Sequence, residues 1–399
     1  MQDVTIASFN VKNLIGADQE YYKFMQYSQN EYSWKSDWLA EQVVRMDADV
    51  VGFQEIFERS ALEDVLGQAN KAGAEANADH MSGRITRVLR MLKYRGYDLK
   101  ADQIAFAPNA NDGAPGQRRP GLALVSRFGF AEPPEVIQEL PEPVEIAFSD
   151  MGGGDGGTYR MSRTSRPILK ARIPMGGTVV TVFNCHLKSK LGEFVRPAGA
   201  AYAPEADLTR YDAVGRSLGA ARAAMRRMAE AWVLRRAIVA ELEQGRPVMV
   251  MGDFNDSEHA VSTEIISGEA PFKNYSYMLR HDAKDRNDRY SRDENETIRE
   301  AVEAMRLHSA ETLFARKSLR DMVYTSTFGG IYESIDQIFL SRHFVPEAKG
   351  KDAGKLGQMD YFTIYNDHLN DGSHPEAPHN KLISDHGQIM VHLSLKGGR

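Results

Sequence analysis

"VMVMGDFND", Val248 to Asp256, sets four consecutive apolar residues against a glycine, two carboxylates and an amide. A strand that is apolar at every position buries both faces, as in a sheet covered on each side by other layers. Its polar residues then collect at the C-terminal end, where the following loop of an α/β protein opens into a crevice. A glycine-led turn whose Asp and Asn accept local amides would use the same residues. The stretch alone supports both readings, and the rest of the chain has to decide between them.

The chain has 399 residues, of which 42% are hydrophobic and 26% charged, the profile of a soluble globular protein with room for a large core. A formal net charge of −6 gives no overall attraction to polyanions, so contact with nucleic acid would need a local basic patch or a metal ion. The single cysteine, Cys185, excludes an intrachain disulfide and a cysteine-based zinc cluster. No apolar run is long enough to cross a bilayer, and no charged-then-apolar leader precedes the first strand-like segment, "VTIASFNV". The expected compartment is the cytoplasm, with a secreted or periplasmic location open if a signal peptide has been removed.

Short segments rich in β-branched residues recur along the chain: "DVTIASFNV", "DADVVGFQE", "GLALVSRFGF", "PILKARI", "TVVTVFNCHL", "PVMVMGDFN", "SIDQIFLS" and "GQIMVHLSL". Between them the spacing predicts helices over 34–46, 60–69, 85–93 and 213–243. Strands scattered among helices, with no Pro-, Gly- or Ser-rich linker, predict one α/β domain over 1–399, with helical or loop insertions near 57–95, 191–240 and 270–320. "DGAPGQRRPG" and "DMGGGDGGTYRMSRTSRP" read as mobile loops carrying arginine, and "HDAKDRNDRYSRDENET" as a solvated surface run. The two tryptophans of "EYSWKSDWLAEQV" read as core packing.

The polar strand end of the opening stretch is repeated. "IASFN" ends on Asn10, "DVVGFQE" on Glu55, "VFNCH" on His186 and "VMVMGDFN" on Asp253 and Asn255. "SIDQIFLS" carries Asp336, and "SDHG" carries Asp385 and His386 just before the last strand. Each residue alone has an ordinary explanation as a turn former, helix-end carboxylate or partly buried histidine. Their recurrence on six segments does not. Oxygen donors from Glu, Asp and Asn suit a hard cation, Mg²⁺ or Mn²⁺, rather than zinc. A carboxylate and amide pair can orient an attacking water, and a histidine fixed by Asp336 can meet developing negative charge, provided their strands are neighbours.

These motifs, "SFNVKNL", "VVGFQEI", "GLALVSRF", "SRPILKARI", "VFNCHLKSK", "VMGDFND", "SIDQIFLS" and "SDHG", resemble those of the endonuclease/exonuclease/phosphatase family in the same order. The resemblance implies a four-layer α/β sandwich, two packed mixed sheets flanked by helices, with the active site at one end. It implies Glu55 as principal metal ligand, with Asn10 beside it and Asp385 close by. It further implies that Asp253 orients or activates water, that Asn255 holds the phosphate, and that His186 and His386 contact the phosphate, His386 being supported by Asp336. Arg166 and Lys188 become further phosphate contacts. Two positions depart from the pattern. Lys12 stands where some members have a second acidic ligand, and Arg118, Arg119 and Pro120 stand where some have a glutamate supporting the first histidine, which leaves His186 without a named partner.

The function expected is a divalent-metal-dependent phosphodiesterase acting by in-line attack of water, read first as a nuclease. The alternative is a phosphoesterase acting on a lipid head group, a sugar phosphate or another small phosphoester, because recognition resides in loops rather than in the shared chemistry. A retired member that only binds a partner would be expected to lack Glu55, Asp253 or His386, and all three are present. The arginines between Leu191 and Arg236 read as the solvated face of a long helix rather than a substrate path.

Overall fold

Val248 to Asp253 forms a strand in which every residue is buried. Val248 and Val250 enter one apolar cluster while Met249 and Met251 enter another, the period-2 alternation of a strand covered on both faces. The structure is a computed structural model that describes residues 1–22, 25–81, 94–100, 102–109, 118–148, 157–194, 201–315, 324–328, 331–369 and 377–397. The helix expected over 85–93 lies outside the described residues, as do 112–117 and 150–156 of the two arginine loops, whereas 157–167, read as a mobile loop, belongs to a strand that pairs with its neighbour.

In chain order the strands are β1 (Gln2–Leu14), β2 (Val50–Ile56), β3 (Ile104–Ala107), β4 (Gly121–Ser126), β5 (Glu135–Phe148), β6 (Gly157–Met175), β7 (Thr178–His186), β8 (Val248–Asp253), β9 (Leu307–Ser309), β10 (Ser326–Phe328), β11 (Ile331–Glu333), β12 (Asp336–Ser341), β13 (Gly357–Tyr365) and β14 (Gln388–Leu395). The helices are α1 (Gln29–Met46), α2 (Arg59–Met81), α3 (Ala213–Glu243), α4 (Val261–Ser267), α5 (Arg292–Ala304), α6 (Ala310–Ala315) and α7 (Pro378–Leu382).

Two six-stranded sheets form, in the orders β13-β14-β1-β2-β4-β3 and β5-β6-β7-β8-β12-β9. Both are mixed, since β1 pairs parallel with β2 and β7 parallel with β8 while the other pairings are antiparallel. One core lies between the sheets and joins Ile6, Val50, Leu124, Val182, Met251 and Ile338. A second packs α1 and α2 on the first sheet through Leu39, Val43, Leu62 and Val65, and a third packs α3 and α4 on the second sheet through Leu234, Ile238 and Ile266. The result is four layers, as the sequence implied. Among the described residues, no helix is long and apolar enough to cross a membrane.

The long helix corrects the reading of its arginines as solvated. Arg227 is buried, pairing with Asp256 at 2.9 Å and donating to Lys188 O at 3.1 Å. The buried Glu230 accepts from Ser165 N at 2.7 Å and Lys188 N at 2.8 Å. These charges hold the loops after β7 and β8, because backbone amides and carbonyls left unpaired there would be costly to bury. Trp34 is likewise exposed, at 43%, and only Trp38 packs inward, edge-on to Phe9.

At the far end of α3, Glu241 accepts from Thr181 Oγ1 at 2.9 Å and pairs with Arg246 at 2.9 Å, Lys170 at 3.0 Å and Arg172 at 3.2 Å. Burial alone would raise its carboxyl, but the bonds from Arg246, Lys170 and Thr181 outweigh it and hold the group down at about 2. Because the folded value lies below the unfolded one, this stabilisation is complete above the ordinary carboxylate range and is lost as pH falls toward 2. Glu241→Gln is expected to destabilise the fold by about 1–2 kcal/mol at pH 7, since it removes the buried carboxylate that three half-buried cations share. Urea melts at pH 7 and pH 3 check this, and the difference between variant and wild type should shrink at the lower pH.

Candidate active site

Residues two apart on a strand share a face, and on four strands the column facing the opposite sheet runs from apolar to polar. On β1 it reads Val4, Ile6, Ser8, Asn10; on β7 Val180, Val182, Asn184, His186; on β8 Met249, Met251, Asp253; and on β12 Leu340, Ile338, Asp336. Pairing places His186 opposite Asp253 and Asp253 opposite Asp336, so three of these ends form one row across the second sheet. Asn10 faces that row from the first sheet. Gly252, at φ 144°, permits the close pairing, since a Cβ there would lie 1.9 Å from Cys185 O.

The side chains converge on one carboxylate oxygen. Asp253 Oδ2 accepts from Asn10 Nδ2 at 3.0 Å and lies 3.2 Å from His186 Nε2 and 3.7 Å from His386 Nε2. Asp253 Oδ1 accepts from the backbone N–H of Asn255 at 2.8 Å. His386 Nδ1 lies 2.8 Å from Asp336 Oδ2, which fixes the ring. Their strands are not neighbours, as the sequence reading required: Asp336 is on the second sheet, and His386 precedes a strand of the first, so the pair spans the sandwich. His186, left without a partner by the sequence, has Asp253.

Burial, reinforced by Asp336, pushes the Asp253 carboxyl up, against the opposing pull of His386 and Arg166. Burial would depress His386, but Asp336 and Asp253 outweigh it and hold the imidazole protonated well above its ordinary range. Burial, then the positive charges of Arg166 and His386, pull His186 well down, leaving it neutral. One cationic and one neutral histidine thus flank a carboxyl poised to exchange a proton, the separation of roles expected of acid–base chemistry.

Around this cluster the backbone is strained. Lys12, Asn13, Glu55 and Asn255 are non-glycine residues at φ 53°, 56°, 65° and 52°, each costing about 1–3 kcal/mol and characteristic of functional sites. At Glu55 the β1–β2 and β2–β4 registers both break, and such a bulge re-aims a side chain. Glu55 Oε2 accepts from Asn13 N at 3.0 Å. The Asp385 side chain is half exposed, with Lys12 Nζ 3.8 Å away. Asn255 Nδ2 donates to Leu187 O at 3.1 Å, and Arg166 Nη1 to the same carbonyl at 3.2 Å. Lys188 is turned aside, its ammonium donating to Leu191 O at 2.9 Å.

Glu55, the Asn10 amide oxygen and Asp385 are oxygen donors of the kind a hard cation takes. Asp253, Asp336 and His386 come within 4.8 Å of one another, and Asp336 Oδ1 is buried without a hydrogen-bond partner. In that trio the 2.8 Å contact already commits one atom each of His386 and Asp336 to the other.

Several supporting residues escaped the sequence reading. Ser384 Oγ donates to Asn10 O at 2.6 Å and accepts from His386 N at 3.0 Å. Asn184 donates to Phe53 O at 3.0 Å and Ala123 O at 2.9 Å and accepts from Gln54 at 2.7 Å, tying the sheets beneath the site. Fully buried Lys35 donates to Val11 O and Leu382 O, each at 3.0 Å, joining the β1 end to the segment before "SDHG". Asn184 lay in a quoted motif, two residues before His186 on the same face, and that spacing was the available signal. Lys35 gave none.

A four-layer sandwich with acid, amide and histidine side chains gathered at one end defines the class to which the chain is to be assigned. The sequence model of the endonuclease/exonuclease/phosphatase family matches residues 7–386, and the chain belongs to that family. Comparison with curated proteins gives no match. Among solved structures, an endonuclease/exonuclease/phosphatase from Bacteroides vulgatus is 13% identical, with 99% of this chain and 100% of that one covered at a TM-score of 0.46. The human nocturnin catalytic domain with bound sulfate is 13% identical, covering 98% and 94% at 0.44. A mannosyl-6-phosphatase from Bacteroides thetaiotaomicron is 13% identical, covering 98% and 99% at 0.43. Likenesses this distant do not bear on the substrate.

Proposed function

We propose that the chain is a divalent-metal-dependent phosphodiesterase that hydrolyses nucleic acid by in-line attack of water on phosphorus. The observation that carries this reading is the buried Asp253 carboxylate, oriented by Asn10 and lying between a neutral and a cationic histidine. Asp253 accepts the proton of the attacking water as the new P–O bond forms. His386, kept cationic and oriented by Asp336, faces the negative charge that builds on the phosphoryl oxygens, and its proton is available to the departing oxygen as the old P–O bond breaks. Asn255 donates to the phosphate through its side-chain amide, His186 holds the Asp253 carboxylate, and Arg166 adds a fixed positive charge. A Mg²⁺ or Mn²⁺ held by Glu55, Asn10 and Asp385 would neutralise phosphate charge at this end of the sandwich. Nucleic acid is favoured as substrate by cationic side chains at this end of the sandwich, Arg166 at the Leu187 carbonyl beside Asn255 and Arg118 at Glu58. They supply the local positive charge that the overall −6 does not.

The test is cleavage of labelled single- and double-stranded oligonucleotides with Mg²⁺ or Mn²⁺, using Asp253→Ala as the contamination control. Wild type alone should cut, with product lengths giving endo or exo mode. Hydrolysis of a sugar phosphate or choline phosphodiester by a protein that leaves every oligonucleotide intact would replace the nuclease reading with the small-phosphoester one.

A further inference from the structure

Beside Glu55 the segment after β1 builds a rigid aromatic group that the proposed chemistry does not use. Tyr21 and Tyr27 stack at 5.2 Å and are 2% and 1% exposed. Tyr22 stands on them at the surface, 37% exposed. It meets Tyr21 at 5.4 Å and Phe57 at 5.9 Å, both edge-type contacts, so among the described residues no ring lies parallel to it. Met25 N donates to Tyr22 O at 2.9 Å and Tyr21 N to Met25 O at 3.0 Å. The neighbouring wall is fixed as well: Arg118 pairs with Glu58 at 3.0 Å and donates to Gln19. Phe57, which Tyr22 meets, follows Glu55 by two residues, so the ring stands near the Glu55 end of β2, and Arg166 holds the Leu187 carbonyl beside Asn255.

An accessible tyrosine ring offers a flat apolar face with a polar tip. A polyanion bearing flat rings matches both features here, its phosphates meeting the arginines and a ring meeting the tyrosine face. We propose that Tyr22 is the stacking platform for a nucleobase next to the scissile phosphate, and so a specificity-determining residue. This rests on the nucleic-acid reading above and would make the enzyme discriminate base-bearing from baseless phosphodiesters.

Two measurements test it. In the first, Asp253→Asn protein binds a short oligonucleotide containing 2-aminopurine, whose fluorescence falls on stacking. Quenching is expected and should be lost when Tyr22→Ala is added but kept with Tyr22→Phe. Absence of quenching overturns the platform whether or not the wild type cuts. In the second, cleavage of a thymidine oligonucleotide is compared with its analogue carrying tetrahydrofuran in place of each base. Tyr22→Ala should raise KM about tenfold on the base-bearing oligomer and leave KM on the baseless one unchanged. Equal losses on both, or Tyr22→Phe behaving like Tyr22→Ala, would assign Tyr22 a structural or hydrogen-bonding role instead. Quenching in a protein that cuts no oligonucleotide would reject the nuclease reading and leave the base-binding surface standing.

Discussion

Asp253→Asn is expected to lower kcat by roughly 10³-fold while leaving the protein folded, because the amide keeps the shape of the side chain and cannot accept the water's proton. The fold should tolerate the change for an electrostatic reason. The native state keeps a proton on the raised Asp253 carboxyl that the unfolded chain has already released, so wild-type stability falls as pH rises from the ordinary carboxylate range through the raised native value. Asparagine has no such penalty. The variant should therefore melt at or above the wild-type temperature at pH 8, as thermal unfolding followed by circular dichroism would show. A variant that is inactive because it has unfolded would fail this comparison, and an active, folded one would remove Asp253 from the chemistry.

Glu55→Gln is expected to weaken Mg²⁺ or Mn²⁺ binding by roughly a hundredfold, with kcat/KM falling in parallel and partly restored by excess metal. The fold should survive, since the hydrogen bond from Asn13 N can be accepted by the amide oxygen in place of the carboxylate. Calorimetric titration of metal into wild type and variant separates the two locations the side chains allow. Loss of affinity in Glu55→Gln with affinity retained in Asp336→Asn puts the ion at the Glu55 rim. The reverse pattern would move it to Asp253, Asp336 and His386.

The central strands were legible because burial on both faces leaves an uninterrupted apolar run, and β8 is the clearest case. The polar cluster was legible for a related reason: a polar residue ending an apolar column, as at Asn10, His186 and Asp253, has no packing role and therefore stands out. Edge strands did not announce themselves. In β13 the pattern of buried and exposed residues is broken by a register shift between Met359 and Tyr361, and β5 contains two such shifts. Contacts across the sandwich were also hidden. The sequence paired Asp336 with His386 by supposing adjacent strands, whereas the contact spans two sheets, and no local pattern reports the distance between layers. Arg227, Glu230 and Lys35 were misjudged or missed for the converse reason, that a charged residue on a helix reads as solvated until the loop it binds is seen.

The most direct test of the account is hydrolysis of an oligonucleotide in H₂¹⁸O with Mg²⁺, comparing wild type with Asp253→Asn. The account predicts ¹⁸O on the product phosphate with the wild type and none above background with the variant. Label arriving equally with both proteins, or appearing in the alcohol fragment, would contradict water attack on phosphorus directed by Asp253.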